Sequence, residues 1–320
     1  QDEVIDRLLS VSKSKELKLV SLKKYTSVKS RNKEISRNKI AVIYATGSIK
    51  SGKGDEKNIG SETTAQAIKK ASRDKNVKAI VFRINSGGGS ALASDVILRE
   101  AKLAKAKKPV VVSMGDYAAS GGDYIACDAD SIIANPTTLT GSIGVFGMIP
   151  NLKRFYKNKL GITIDTVNSN NYSDIGVNRL LTDFERKKIQ KNIEEVYNTF
   201  ITHVSEGRNM SVEAVDEIGQ GRVWTGFDAK KIGLIDSYGG IEKAIEIAAL
   251  LAEIKNYRII SLPKKKDPLT ELASQFSNQS NIYDCLLNRF GLSTKLTQSI
   301  ESLIKDEKVQ ARIPFTIELK

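Results

Sequence analysis

Two apolar strands that run straight into glycine clusters constrain this sequence more than any other feature. VKAIVFRI (77–84) leads at once into NSGGGS, and PVVVSM (109–114) into GDYAASGGDY. Strands without a polar face must be covered on both sides, which is the situation of parallel strands in a layered α/β fold. The periodicity around them agrees. It predicts a strand over 40–47, a helix over 61–72 with Ser61 as its N-cap, a helix over 91–106, and short strands over 131–134 and 143–146. After 162–167 and the loop NSNNYSDIG, helical periods take over at 183–206, 211–218, 226–231 and 240–253 and are expected to wrap the sheet.

The organisation expected from these textures has three parts. Residues 1–38 are polar and Lys-rich, with a short amphipathic piece at 4–9 and a strand-like piece at 17–22, and read as a tail or linker. Residues 39–255 form the α/β domain. Residues 256–320, which include LPKKKDP, are less patterned and are expected to form a separate C-terminal segment ending in a short strand at 315–319.

Composition removes several function classes. Fifty Lys+Arg against 37 Asp+Glu give a formal charge of +13, but the basic residues are mostly single or beside acids, and the one tight run is Lys264, Lys265 and Lys266. That pattern describes a solvated basic surface, one compatible with an anionic membrane, rather than a nucleic-acid groove. The 6% aromatic share supplies no stacking ladder, so no nucleic-acid partner is expected. Cys127 and Cys285 lack metal-ligand spacing and read as buried or free thiols. No apolar run reaches the roughly 18 to 20 residues of a membrane span, the longest candidate being 244–254, so these residues are expected to be soluble and without an anchor. The sequence opens on Gln1 without a signal-peptide pattern, as a piece of a longer protein would.

The single histidine restricts the chemistry further. His203 lies beside a helical stripe of Phe184, Ile189, Ile193, Val196, Phe200 and Val204 that faces a core, which favours a structural role. A His-rich metal site is excluded, and no metal or cofactor is expected. A serine hydrolase built on this chain needs a base other than imidazole.

The two glycine loops are where chemistry is expected. Glycine permits positive φ and lets backbone N–H groups approach a ligand, and a following helix adds its positive dipole end. Two such bends side by side can aim N–H groups at one oxygen, the geometry of an oxyanion hole; each is also an ordinary strand-to-helix turn. Ser120, before Gly121 and Gly122, reads equally as an N-cap or as a nucleophile whose own turn supplies a donor. Spacing leaves both open.

INSGGGSALAS, VVSMGDYAASGGDYIA, ANPTTLTGSIGVFG and GRVWTGFDAKKIGLID, between residues 40 and 251, resemble in their order the signal peptide peptidase A (protease IV) family of serine peptidases. The resemblance spans about two thirds of the chain. It is strongest to the second half of the family's long form, in which two similar halves lie in tandem, and RLLSVSKSKELKLVSLKKY near the start is similar to the end of the first half. The resemblance implies a ClpP/crotonase-like superhelix of β-β-α units with flanking helices. It implies Ser120 as acylating nucleophile, backbone N–H groups of Gly88, Gly89 and Gly121 as the oxyanion hole, and Ser142 as a hydroxyl that orients the base. Gly87 stands where the family has proline, so a looser bend is expected there.

In this family the base is a lysine, and here its absence is informative. At the short form's lysine position stands Ser173, and residues 168–178 contain no lysine; Lys159 and Lys187 flank that loop. In the long form the first half supplies the lysine. Such a lysine must be neutral near pH 7, which from a reference pKa near 10.4 costs about 4 kcal/mol of desolvation. The expected function is a Ser-Lys endopeptidase that degrades cleaved signal peptides and similar apolar segments, very weak in this chain alone. A crotonase-type acyl-CoA enzyme, with Asp116 and Asp123 as its acids, and an inert assembly or peptide-binding domain are the alternatives. The expected partners are peptide substrates, the upstream half and further copies of the chain, with Phe155, Tyr156 and the 183–206 helix as contact surfaces. The expected location is the bacterial inner membrane with the catalytic part in the periplasm.

Overall fold

The structure is a computed structural model that describes residues 2–12, 20–27, 36–55, 57–263 and 309–312. Cys285, the lysine run at 264–266 and the strand expected at 315–319 lie outside the described residues, as do residues 17–19 of the piece at 17–22. By contacts the chain divides into two units, residues 1–36 and 37–320. The first holds two helices, α1 (Asp2–Ser12) and α2 (Leu22–Ser27).

The second unit is the α/β fold expected from the apolar strands. Its elements in chain order are β1 (Lys39–Thr46), β2 (Ser48–Lys50), β3 (Asn58–Gly60), α3 (Ser61–Arg73), β4 (Val77–Ser86), β5 (Gly88–Ser90), α4 (Ala91–Lys105), β6 (Val110–Ala119), α5 (Gly121–Tyr124), β7 (Ser131–Ala134), β8 (Leu139–Gly141), β9 (Phe146–Gly147), α6 (Lys153–Leu160), α7 (Asp183–Arg208), α8 (Val212–Ile218), β10 (Val223–Thr225), α9 (Gly226–Lys231), β11 (Ser237–Tyr238), α10 (Ile241–Leu251), β12 (Arg258–Leu262) and β13 (Val309–Arg312). Among the described residues, the main sheet runs β10-β8-β6-β4-β1-β12, with β7 also paired to β6 and β11 to β7. A smaller sheet runs β3-β2-β5-β13-β9.

The double-sided core is visible residue by residue. Ala41, Ile43, Ile80, Phe82, Ile84, Val112 and Met114 join one buried cluster with Ile68 of α3 and Ile97 of α4. The alternate residues Ile40, Val42, Ala79, Val81 and Val111 join a second with Ala244 and Ala248 of α10. The period of 2 therefore sends each strand's side chains to opposite helix layers, and small alanines let α10 sit close.

Two local expectations change. Gly60, not Ser61, caps α3, because the Ser61 hydroxyl accepts the Gly52 N–H at 3.2 Å. The strand expected at 143–146 is replaced by β8 and β9, because the chain turns at Ser142 with φ of 48°. Residues 162–167 take no regular structure.

At the start of α7, Thr182 and Glu185 form a reciprocal capping box, and Glu185 is buried. The Arg179 guanidinium bonds Glu185 Oε1 at 2.6 Å and Asp174 Oδ1 at 2.7 Å, tying the loop that contains Ser173 to the helix. That guanidinium, with the capping hydrogen bonds, lowers the Glu185 pKa from 4.5 to about 2. A lowered carboxylate stabilises the fold fully above its unfolded value and loses that contribution as pH falls toward the folded value. Glu185→Gln, which keeps the shape and loses the charge, is expected to lower the melting temperature at pH 7, with the deficit closing as pH drops from 4.5 toward 2. A deficit of constant size in thermal melts across that range contradicts the assignment.

Candidate active site

The site is built by the register of two parallel strands. Ser86 of β4 pairs with Ala118 of β6, so the chain leaves both strands side by side and the bends carrying Gly88 and Ser120 emerge together. A Cβ on Gly121 would stand 3.1 Å from Gly88 Cα and 2.8 Å from Ser94 Oγ, and one on Gly122 would stand 2.6 Å from the Ser86 carbonyl oxygen. Only glycines let these bends touch.

Between β6 and α5, Ser120 has φ of 55° and ψ of −116°. A serine there holds roughly 1–3 kcal/mol of backbone strain, the signature of a strand-to-helix elbow that presents a hydroxyl. Its N–H donates to the Gly141 carbonyl at 2.7 Å, and its own carbonyl accepts the Tyr124 N–H at 2.8 Å. The N-cap alternative does not hold: the side chain makes no cap, and Oγ instead donates a long 3.4 Å bond to the Gly144 carbonyl.

Ser142 also has positive φ and donates its N–H to the Arg222 carbonyl at 2.6 Å. It borders a cavity of about 440 Å³ together with Gly144, Phe146, Glu194, Tyr197 and Gln220. The acceptor of the Ser120 hydroxyl and the Ser142 side chain thus flank one space. β10 holds this loop in place by pairing Val223 with Gly141, and the Trp224 indole N–H anchors β10 on the Ile218 carbonyl at 2.9 Å. The GRVWTG motif, distant in sequence, is therefore the brace of the Ser142 turn.

The Gly88 bend is clamped by Ser86, whose hydroxyl donates to the Gly47 carbonyl at 2.6 Å and accepts the Gly88 N–H at 3.1 Å. Gly87 alone would leave the bend loose; Ser86 ties it on both sides. Because the Gly88 N–H already has this partner, it can serve an oxyanion only by sharing it. Gly89 lies next to Ile49 on one side and Ala311 on the other.

Among the described residues, lysine is not part of the arrangement. Ser173 is exposed and its hydroxyl donates to Asn170 within its own loop at 2.9 Å, while Lys159 and Lys187 are exposed. The described cavity lining contains no lysine. Lys108, whose pKa burial lowers, bonds the Ala71 and Asp74 carbonyls near the opposite end of the strands. His203 sits between Lys102 Nζ at 3.1 Å and Asp95 Oδ1 at 3.4 Å, edge-on to the Tyr124 ring. Cys127 is buried, and burial pushes its thiol pKa up, leaving it unreactive.

Asp123 is the site residue that sequence reasoning misjudged. It was weighed as an acid facing an acyl-CoA, yet it is 2% exposed beneath the elbow, while Asp116 points to solvent. Its Oδ1 lies 3.1 Å from Thr140 Oγ1, and Oδ2 has no hydrogen-bond partner among the described residues. Thr140 has one hydroxyl proton and also lies 2.8 Å from the Ala118 carbonyl. A neutral Asp123 resolves the count: its O–H donates to Thr140, which donates to Ala118. Burial raises the Asp123 pKa to about 7, against the lowering hydrogen bonds from Thr140 and Gly141 and the charge of Arg208, so the neutral form prevails below that pH. The chain joins the end of β6, β8 and α5 around Ser120. The signal in the sequence was a lone acid after Ser-Gly-Gly in an apolar context.

A family model described as Peptidase family S49 matches residues 102–255. Protease 4 of Salmonella typhi is 39% identical over 276 residues, 86% of this chain and 41% of that protein. The Arabidopsis thaliana protein named Serine protease SPPA, chloroplastic, is 38% identical over 98% of this chain and 47% of its own length. The Synechocystis sp. protein named Putative protease slr0021 is 35% identical over 268 residues, 82% of this chain and 92% of that protein. The chain thus spans less than half of the first two relatives. Among solved structures, the ClpP1 N165D mutant from Listeria monocytogenes aligns with a TM-score of 0.42 and 16% identity, over 64% of this chain and 94% of that one.

A buried acid with a raised pKa stabilises the fold below its unfolded value, and the contribution disappears as pH rises through the folded value. Asp123→Asn mimics the neutral acid. The parent is expected to lose up to about 4 kcal/mol relative to this variant between pH 4 and pH 8. Denaturant titrations in which both proteins share one pH dependence contradict a neutral Asp123.

Proposed function

This chain belongs to peptidase family S49, and from that premise we propose that it carries the nucleophile and oxyanion-binding bends of a serine endopeptidase acting on extended apolar peptides, cleaved signal peptides among them. The observation that carries the reading is the strained Ser120 elbow packed against the Gly88 bend, with its hydroxyl bonded to the carbonyl of Gly144, which lines the cavity that Ser142 also borders. Ser120 Oγ attacks the substrate carbonyl carbon, the oxygen becomes an oxyanion held by the N–H of Gly121 and of the Gly88-Gly89 bend, and the amine leaves with a proton. Water then releases the acyl group from Ser120.

The proton requires an acceptor, and the cavity lining offers carboxylate, amide, phenol and hydroxyl groups but no amine. We assign the base to a lysine from the upstream half of the longer protein, entering this cavity and oriented by Ser142. Residues 39–255 then form most of the catalytic unit, with 1–38 joining it to the upstream half; the segment expected to stand apart at 256–320 instead contributes β12 to the main sheet and β13 to the smaller one. The exposed side chains of Phe155, Ile162, Ile164 and Val167 suit a contact with another copy. Location at the bacterial inner membrane, with this part in the periplasm, follows from the family resemblance; no described helix is long and apolar enough to cross a membrane. The acyl-CoA alternative is disfavoured by the burial of Asp123 against Thr140.

Labelling with a fluorophosphonate tests the assignment. The chain alone is expected to react slowly, and the chain joined to its upstream half at least about 100-fold faster, the low end of general-base assistance. Ser120→Ala is expected to abolish both. Labelling that survives in Ser120→Ala contradicts the nucleophile, and a fast reaction of the chain alone contradicts the missing base.

A further inference from the structure

The reaction above gives Asp123 no part, although its carboxyl joins the segments that hold the Ser120 elbow. Asp123 follows Ser120 by three residues on α5, and its Oδ1 lies 3.1 Å from Thr140 Oγ1 of β8. Thr140 in turn donates to the Ala118 carbonyl, two residues before Ser120, at 2.8 Å. The next residue of β8, Gly141, accepts the Ser120 N–H at 2.7 Å. The elbow is thus pinned to β8 through Ala118 and through Ser120 itself, and the Asp123 proton is what leaves the Thr140 hydroxyl available for its share.

An ionised Asp123 would break this arrangement, because a carboxylate accepts hydrogen bonds and cannot donate one. The single Thr140 proton would have to turn from Ala118 to the carboxylate, leaving a buried carbonyl unpaired. Oδ2 already has no partner among the described residues. Arg208 of α7 acts on the carboxyl by its charge, but both of its Nη atoms bond Asp236 and its Nε bonds the Gly233 carbonyl. The Gly141 N–H of β8 faces the carboxyl as well, and the nearby Cys127 thiol donates to the Tyr124 carbonyl at 3.2 Å. Lys102 and Asp95 of α4 and His203 of α7 make their contacts with one another and with Tyr124. A negative charge at Asp123 would also sit beneath the turn that has to hold a developing oxyanion, in a place shielded from water.

We propose that Asp123 is a positioning residue for Ser120: its protonated carboxyl, acting through Thr140 and Ala118, holds the elbow in its reactive form, and loss of that proton switches the nucleophile off. The inference rests on the peptidase reading above and adds its control by pH. With burial setting the folded pKa at about 7, the elbow is competent below that value and loses competence as pH rises through it. A base that must shed its own proton to act works in the opposite sense, so the two groups together confine activity to a window of pH.

The chain's single tryptophan supplies a readout independent of the chemistry, since Trp224 of β10 stands directly opposite Thr140 of β8. Trp224 fluorescence and the rate of fluorophosphonate labelling are followed from about pH 5 to about pH 9 in the full chain and in two variants. Asp123→Asn has an amide that donates to Thr140 at every pH, and His203→Gln removes the chain's only imidazole. With each rate normalised to its own value near pH 6, the parent is expected to fall at least about ten-fold below Asp123→Asn by pH 9. A fluorescence transition is expected in the parent at the same midpoint, near pH 7, and in His203→Gln, but not in Asp123→Asn. A transition that persists in Asp123→Asn, or that disappears in His203→Gln, overturns the assignment to Asp123. A transition lost only in Asp123→Asn, with a labelling ratio that stays constant, overturns the positioning role and leaves the peptidase reading in place. Labelling that survives in Ser120→Ala overturns the peptidase reading and the role that rests on it.

Discussion

The backbone contact between the Gly88 bend and the Gly121-Gly122 pair is what the rest of the site depends on. Two parallel strands paired at Ser86 and Ala118 bring the bends out together, and the missing side chains at Gly121 and Gly122 let them close to van der Waals distance. A methyl group at Gly122 would meet the Ser86 carbonyl oxygen at 2.6 Å, too close to tolerate without moving a strand end. The strain at Ser120 is held by this contact and by the bond from its N–H to Gly141. Preorganisation of this kind fixes donors before charge develops on a substrate oxygen.

Much of this was legible in the sequence because it depends on local pattern. Apolar strands followed by glycine clusters indicated buried parallel strands with bends at their carboxyl ends, and both bends lie there. What could not be read were the interactions between distant segments. Nothing near Ser142 announces that its N–H will bond Arg222, or that β10 will brace the turn through Trp224 and Ile218. Asp123 was read by charge alone, and only its burial and the single proton of Thr140 reveal a neutral structural acid. The strand at Val309–Arg312 was not foreseen, because it pairs through backbone groups, which leave little trace in side-chain pattern.

The site divides its chemistry between what the fold supplies and what it leaves to other segments. Backbone donors, a strained hydroxyl and a cavity come from the α/β unit. The proposed base comes from another segment, and the cavity beside Ser142 is the place proposed for it. Such a layout separates a stable scaffold from the groups that switch it on.

A crystal structure of the chain with a peptide boronate bound tests the central claim most directly. The account predicts a covalent bond from boron to Ser120 Oγ, with one boronate oxygen within about 3 Å of the Gly121 N–H and facing the Gly88-Gly89 bend. Boron bonded to another residue, or bonded to Ser120 with its oxygen turned away from both bends, would contradict it.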